Sequence, residues 1–236
     1  MKELDRNLAN LNQFWQQLNA SHKEGIFSHQ SWPYKQWQAD FTLPNKALTE
    51  ILLTDSNQGN VFTTVDQSDL PLIDFKLKSH LVVMTLKMNN VSEHSATHSD
   101  GVEENGVVIK KLNKDDSALC WAEACGLAFG YDIDANVVQG LLKDTNTSVL
   151  AYIINGEIAG TAISYQSGDT LGIHQLGTVP NYRKMGVAAK LMTYLLKQAQ
   201  DNGCHYVSLQ ASQAGLHLYE KMGFKALAKL NSWVRE

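Results

Sequence analysis

This chain of 236 residues is poor in cysteine, has no concentration of either charge, and lacks any long apolar run. Its three cysteines, Cys120, Cys125 and Cys204, are an odd number without metal-like spacing, which excludes a disulfide framework and a cysteine zinc site. Reduced thiols in a cytoplasmic protein are the expectation. Lys and Arg number 20 against 24 Asp and Glu, for a net charge of −4. With no basic cluster, a nucleic-acid partner is not expected. No apolar run approaches membrane-spanning length, so no membrane partner is expected either. The start, Met1-Lys-Glu-Leu-Asp-Arg, leads into polar helix-like sequence and not into a signal peptide's apolar core.

What is there describes an ordinary globular protein. Hydrophobic residues make up 44% and charged residues 19%, and five Trp, seven Phe and eight Tyr suffice for a sizeable core. The length allows one large or two small domains. The stretch Asn89 to Asn105 is polar, acidic and aperiodic, and reads as a linker. The expected organisation is therefore an N-terminal α/β domain over 1–90, a linker over 91–105 and a second domain over 106–236. His94 and His98 lie within the linker. With no third ligand evident, no metal is expected.

After the linker the order of elements is legible. A strand at Val107–Leu112 precedes a helix from Ser117 to Phe129, with Asp116 as its expected cap and Leu119, Trp121, Cys125, Leu127 and Ala128 as its apolar positions. A short helix over Ala135–Lys143 follows, with Asp134 placed to cap it. Strands at Ser148–Ile154 and Glu157–Tyr165 flank the Asn155-Gly156 turn. Then come a strand at Thr170–Val179, a helix at Lys184–Asp201, a strand at Tyr206–Gln210, a helix at Gly215–Met222 and a last strand at Phe224–Val234. The N-terminal part offers an amphipathic helix over Leu4–Leu18 and the aromatic group Trp32, Tyr34, Trp37 and Phe41, read as core. Strands are expected at Ile51–Leu53, Asn60–Val65 and His80–Lys87. No glycine-rich phosphate loop is present in this part.

The most informative stretch is His174-Gln-Leu-Gly-Thr-Val-Pro-Asn-Tyr-Arg-Lys-Met-Gly-Val-Ala188. It runs from an apolar strand through a Pro-Asn turn and Gly186 into a long amphipathic helix. Such a helix start presents unpaired backbone N–H groups and the positive end of the dipole, which suits a phosphate or pyrophosphate. Gly186 removes a side chain where backbone and anion come close, and Arg183 adds a permanent positive charge.

The spacing Arg183-x-x-Gly186-x-Ala188 resembles the acyl-CoA pyrophosphate loop of the GNAT N-acetyltransferase superfamily, Gln/Arg-x-x-Gly-x-Gly/Ala. Ala188 stands where a second glycine is more common. Thr178-Val-Pro-Asn-Tyr-Arg183 is similar to a run found in many bacterial members. Leu209-Gln-Ala-Ser212 followed by Gly215-Leu-His-Leu-Tyr-Glu-Lys-Met-Gly-Phe224 resembles the closing signature of the family. The resemblance covers about Val107 to the C-terminus. It implies an α/β (α+β) fold with a mixed central sheet flanked by helices; a degenerate half of the same kind is an option for the N-terminal part.

The resemblance further implies acetyl-CoA as co-substrate and a primary amine as acceptor, with no metal. Gly177, Thr178 and Val179 would hold the pantetheine and polarise the thioester. Arg183, Lys184, Met185, Gly186, Val187, Ala188 and Ala189 would hold the pyrophosphate, and Ser212 is a further cofactor-binding candidate. Tyr219 would donate a proton to the departing thiolate. His174 is a candidate base on the cofactor strand, where alternation places it on the face of Leu176 and Gly172, and a structural histidine is the competing reading. Asp132 and Asp134 could attract a cationic amine, and Phe129 and Tyr131 could shape its pocket. The rival function is a non-catalytic acyl-CoA-binding or regulatory module.

Overall fold

In the computed structural model, residues 1–42, 61–65, 75–88 and 106–235 are described. The expected linker and the expected strand at Ile51–Leu53 lie outside these residues. Contacts group the chain into two compact units, Met1–Thr85 with Gln210–Glu236, and Leu86–Leu209. That division differs from the one expected at 90 and 106, because the last helix and strand join the N-terminal segment.

The first unit holds helix α1 (Glu3–Gln16) and strands β1 (Ala20–Lys23), β2 (Ile26–His29), β3 (Lys35–Trp37), β4 (Val61–Val65) and β5 (Phe75–Lys87). From the C-terminal segment it takes α5 (Leu216–Lys221) and β11 (Lys225–Arg235). Its strands lie in the order β1-β2-β3-β4-β11-β5, with β11 antiparallel to both β4 and β5. Leu8, Leu11, Phe14 and Trp15 give α1 one buried face. Trp15 meets Trp37 edge-on at 5.1 Å and Phe41 at 5.5 Å. Trp32, Trp37 and Phe41 are buried as expected, whereas Tyr34 is exposed.

The second unit holds β6 (Val107–Lys111), α2 (Leu119–Phe129), α3 (Ala135–Leu141), β7 (Thr147–Ile154), β8 (Glu157–Ser167), β9 (Thr170–Thr178), α4 (Val187–Asp201) and the first residues of β10 (Tyr206–Ala211). The order is β10-β9-β8-β7-β6. All pairs are antiparallel except β10 with β9, which is parallel from Tyr206↔Thr170 to Leu209↔Ile173. This is the expected α/β organisation of mixed sheet and flanking helices. Asn155 and Gly156, both at positive φ, make the expected tight hairpin. Gly160 lets α4 approach: a Cβ there would lie 2.5 Å from Val187 Cγ1 and 3.2 Å from Leu191 Cδ1. The neighbouring Thr161 pairs with Gly177, whose missing Cβ is filled by Ala128 and Phe129 of α2. The helices α4 and α2 therefore cover opposite faces of the sheet.

Three local expectations are corrected. Asp116 does not cap α2; its carboxylate accepts the Asn113 N–H at 2.8 Å and the Lys110 ammonium at 2.6 Å, closing a turn, and Ser117 Oγ accepts the Leu119 N–H instead. Leu119 and Leu127 are 54% and 64% exposed, because α2 buries the Trp121/Cys125 stripe and these leucines lie about 140° around the helix from its centre. Helix α4 starts at Val187 and not at Lys184, since the Pro180–Tyr182 segment forms a 3₁₀ turn and Lys184 has φ +64°. Asp134 does cap α3, accepting the Asn136 N–H at 2.9 Å.

Candidate active site

The site candidates of the second unit lie on one continuous run, from the end of β9 into α4. The strand β9 is interrupted. Between Ile163↔His174 and Thr161↔Gly177, one β8 residue faces two on β9, and Gln175 takes φ +48°. This is a β-bulge. Thr161 Oγ1 donates to the Gln175 carbonyl at 3.1 Å, and the Gln175 side-chain oxygen lies 3.6 Å from Cys125 Sγ and 3.4 Å from the Tyr131 hydroxyl. The bulge breaks the alternation that would place His174 and Leu176 on one face. No sequence signal marks Gln175 as special, because its strain is supplied by partners on β8, α2 and the following loop.

Beyond the bulge the backbone sorts its own donors. The Val179 N–H donates to the Ala159 carbonyl at 3.0 Å, and the Val179 carbonyl accepts the Tyr182 N–H at 2.9 Å. The Val179 N–H is therefore committed within the protein, which counts against Val179 as a donor to a ligand. Two residues earlier, Gly177 faces β8 in the same way, opposite Thr161. Thr178 lies between them, so its N–H and C=O turn away from β8. The parallel ladder to β10 ends at Ile173, and β9 continues to Thr178 past that point.

The turn that follows is built for close approach. Arg183 is extended and donates from Nη2 to the Ala128 carbonyl at 3.2 Å, tying the loop to the C-terminal end of α2. Lys184, Met185 and Gly186 are exposed. Gly186 is the N-cap of the 15-residue α4 at φ +80°, and a Cβ there would meet no heavy atom within 4 Å. The left-handed conformation calls for glycine, and the open space on its side is where an anion can reach the first-turn amides of Val187, Ala188 and Ala189.

His174 is buried, and burial pushes its imidazole down to about 3. It is neutral across the physiological range and a poor acceptor of protons, which counts against the expected base. Cys125 is also inert, its thiol pushed up to about 12 by burial. In the loop after α2, Asp134 is committed to α3, and Asp132 is exposed.

The remaining two candidates belong to the first unit. Ser212 is exposed, and its carbonyl accepts the Gly215 N–H at 2.9 Å in the turn before α5. Tyr219 is 8% exposed, stacked edge-on with Phe224 at 5.9 Å, and closely backed by Gly215, where a Cβ would stand 2.7 Å from its Cε2. Burial raises its phenol to about 12. Among the described residues no group of His, Cys, Asp and Glu could hold a metal ion, and no helix is long and apolar enough to cross a membrane.

Residues 114–224 match the model of the acetyltransferase (GNAT) family. This part of the chain is a GNAT domain. Among curated relatives, a glucosamine 6-phosphate N-acetyltransferase of Trypanosoma brucei brucei is 32% identical over 87 residues, 34% of this chain and 59% of that protein. An acetyltransferase of Pectobacterium atrosepticum is 26% identical over 125 residues, 50% of this chain and 88% of that protein. Among solved structures, a GCN5-related N-acetyltransferase from Kribbella flavida covers 100% of this chain and 96% of its own at a TM-score of 0.66 and 15% identity, a likeness of fold.

Proposed function

We propose that this protein is an N-acetyltransferase that passes the acetyl group of acetyl-CoA to a primary amine by direct attack. The observation that carries the reading is Gly186: a left-handed cap, open on its side-chain face, at the start of α4 and three residues after Arg183. Such a helix start accommodates a phosphate or a diphosphate. The amides from Lys184 to Ala189 and the Arg183 guanidinium would hold it.

Thr178 carries the next role. Its outward-turned N–H would bind the pantetheine or the thioester oxygen, with Gly177 beside it letting α2 pack close against the strand. A fixed amide aimed at the developing oxyanion is the largest single contribution to acyl transfer in many enzymes. The amine then attacks the thioester carbon; the C–N bond forms, the C–S bond breaks, and the thiolate leaves. The resemblance assigns the proton for sulfur to Tyr219, whose burial-raised phenol stays protonated at neutral pH. The amine's own proton goes to solvent, because His174 is too weak a base. Ser212 is the strand-end group assigned to the cofactor by resemblance. The thiols, all free, fit a cytoplasmic setting.

Initial-rate kinetics tests this reading. Varying acetyl-CoA and an amine together gives intersecting reciprocal plots for direct transfer. Parallel plots, or an acetylated protein isolated without amine, would overturn it.

A further inference from the structure

The C-terminal end of α2 and the loop after it carry, against β9, two exposed aromatic rings that the acetyl-transfer chemistry does not use. Phe129 is 38% exposed and Tyr131 is 47% exposed, with ring centroids 5.7 Å apart and planes at 39°. Neither is loosely placed. Phe129 lies against the backbone of Gly177, where a Cβ would come 2.7 Å from its Cε2. Tyr131 donates its hydroxyl to the side-chain oxygen of Gln175, at the bulge. Two rings are thus fixed, half in solvent, against Gly177 and Gln175, on the approach to the Thr178 position assigned above to the acyl group. Exposed rings of this size favour an apolar partner, which they gain by removing its surface from water.

The charge of the same loop points the same way. Of its two carboxylates, Asp134 is committed to capping α3, and Asp132 is exposed. A polycation needs several carboxylates; a single ammonium needs at most one. One exposed carboxylate beside two half-exposed rings suits one ammonium on an apolar body better than a polycation.

Resting on the acetyl-transfer reading, we infer that the acceptor is a monoamine carrying an aromatic or bulky apolar group, which the Phe129 and Tyr131 rings receive beside Gly177 and Gln175. Both residues determine specificity, and neither takes part in bond making.

Acetyl-CoA turnover is measured with phenethylamine, ethanolamine, spermidine and glucosamine 6-phosphate. The expected kcat/KM for phenethylamine exceeds that for ethanolamine by about tenfold or more, the scale on which apolar pockets discriminate. In the Phe129→Ala, Tyr131→Ala double variant the ratio falls toward one. Tyr131→Phe, which keeps the ring and drops only the hydroxyl, retains the preference. Equal or better turnover of spermidine or glucosamine 6-phosphate, or a ratio that the double variant leaves unchanged, overturns the acceptor class and leaves acetyl transfer standing. No release of CoA with any of the four amines overturns both.

Discussion

Substitution at Gly186 separates two reasons for a glycine that are usually entangled. Its φ of +80° makes any L side chain strained, at about 1–2 kcal/mol, and asparagine tolerates this region better than alanine. Its side-chain direction is open, with no heavy atom within 4 Å, so no clash with the protein adds to that cost. Gly186→Ala should therefore lower the unfolding free energy by about 1 kcal/mol, and Gly186→Asn by less, in urea titrations. Ligand affinity should follow another order. Each new side chain projects into the space assigned to the diphosphate, and Gly186→Glu adds a negative charge there. Calorimetry with acetyl-CoA should show a loss of at least about tenfold for Gly186→Glu, or about 1.4 kcal/mol. Gly186→Asn should bind no better than Gly186→Ala despite its better stability. If affinity instead tracked stability, with Asn restoring it, the glycine would serve the backbone alone. Unchanged affinity in a folded Gly186→Glu would refute the anion site.

Three further outcomes follow from the same geometry. Gly160→Ala places a Cβ 2.5 Å from Val187 Cγ1 and 3.1 Å from the Gly177 carbonyl, so the first turn of α4 must shift; an overpacking cost of about 1–3 kcal/mol in urea and weaker acetyl-CoA binding are expected together. Tyr219→Phe should keep acetyl-CoA affinity and lower kcat by on the order of 10²-fold where chemistry limits the rate, and wild-type turnover would make Tyr219 a packing residue. His29 and His174 are held neutral in the native state, at about 4 and about 3, while the unfolded chain takes up protons near 6.5. Their contribution is complete above that pH and is lost as the pH falls from about 6.5 toward 4, at up to about 2.7 kcal/mol per unit for the pair. Denaturant midpoints at pH 7, 6 and 5 should fall accordingly, and less steeply in His29→Gln; a flat profile would contradict the burial argument.

What could be read along the chain was whatever depends on near neighbours. The Asn155-Gly156 hairpin, the Asp134 cap and the glycine before α4 are all local patterns, and they appear where the pattern puts them. What escaped depends on distant partners. Asp116 looks like a helix cap in sequence, yet Lys110 and the Asn113 amide take it. The bulge at Gln175 is held by Thr161, Cys125 and Tyr131, residues 14 to 50 positions away. That bulge in turn decides which of Gly177, Thr178 and Val179 offers a free edge, a distinction invisible to a motif. The histidine at 174 carries the right chemistry for a base in isolation, and only its burial in the fold removes it.

The central claim is acetyl transfer from acetyl-CoA to an amine, and one measurement addresses it without intermediaries. The purified protein is incubated with acetyl-CoA and a primary amine; free thiol and N-acetylated product are quantified in the same sample. The account predicts equal amounts of both, each dependent on protein, acetyl-CoA and amine. Tight acetyl-CoA binding with no acetylated product from any amine of a broad panel would contradict it and leave a binding module in its place.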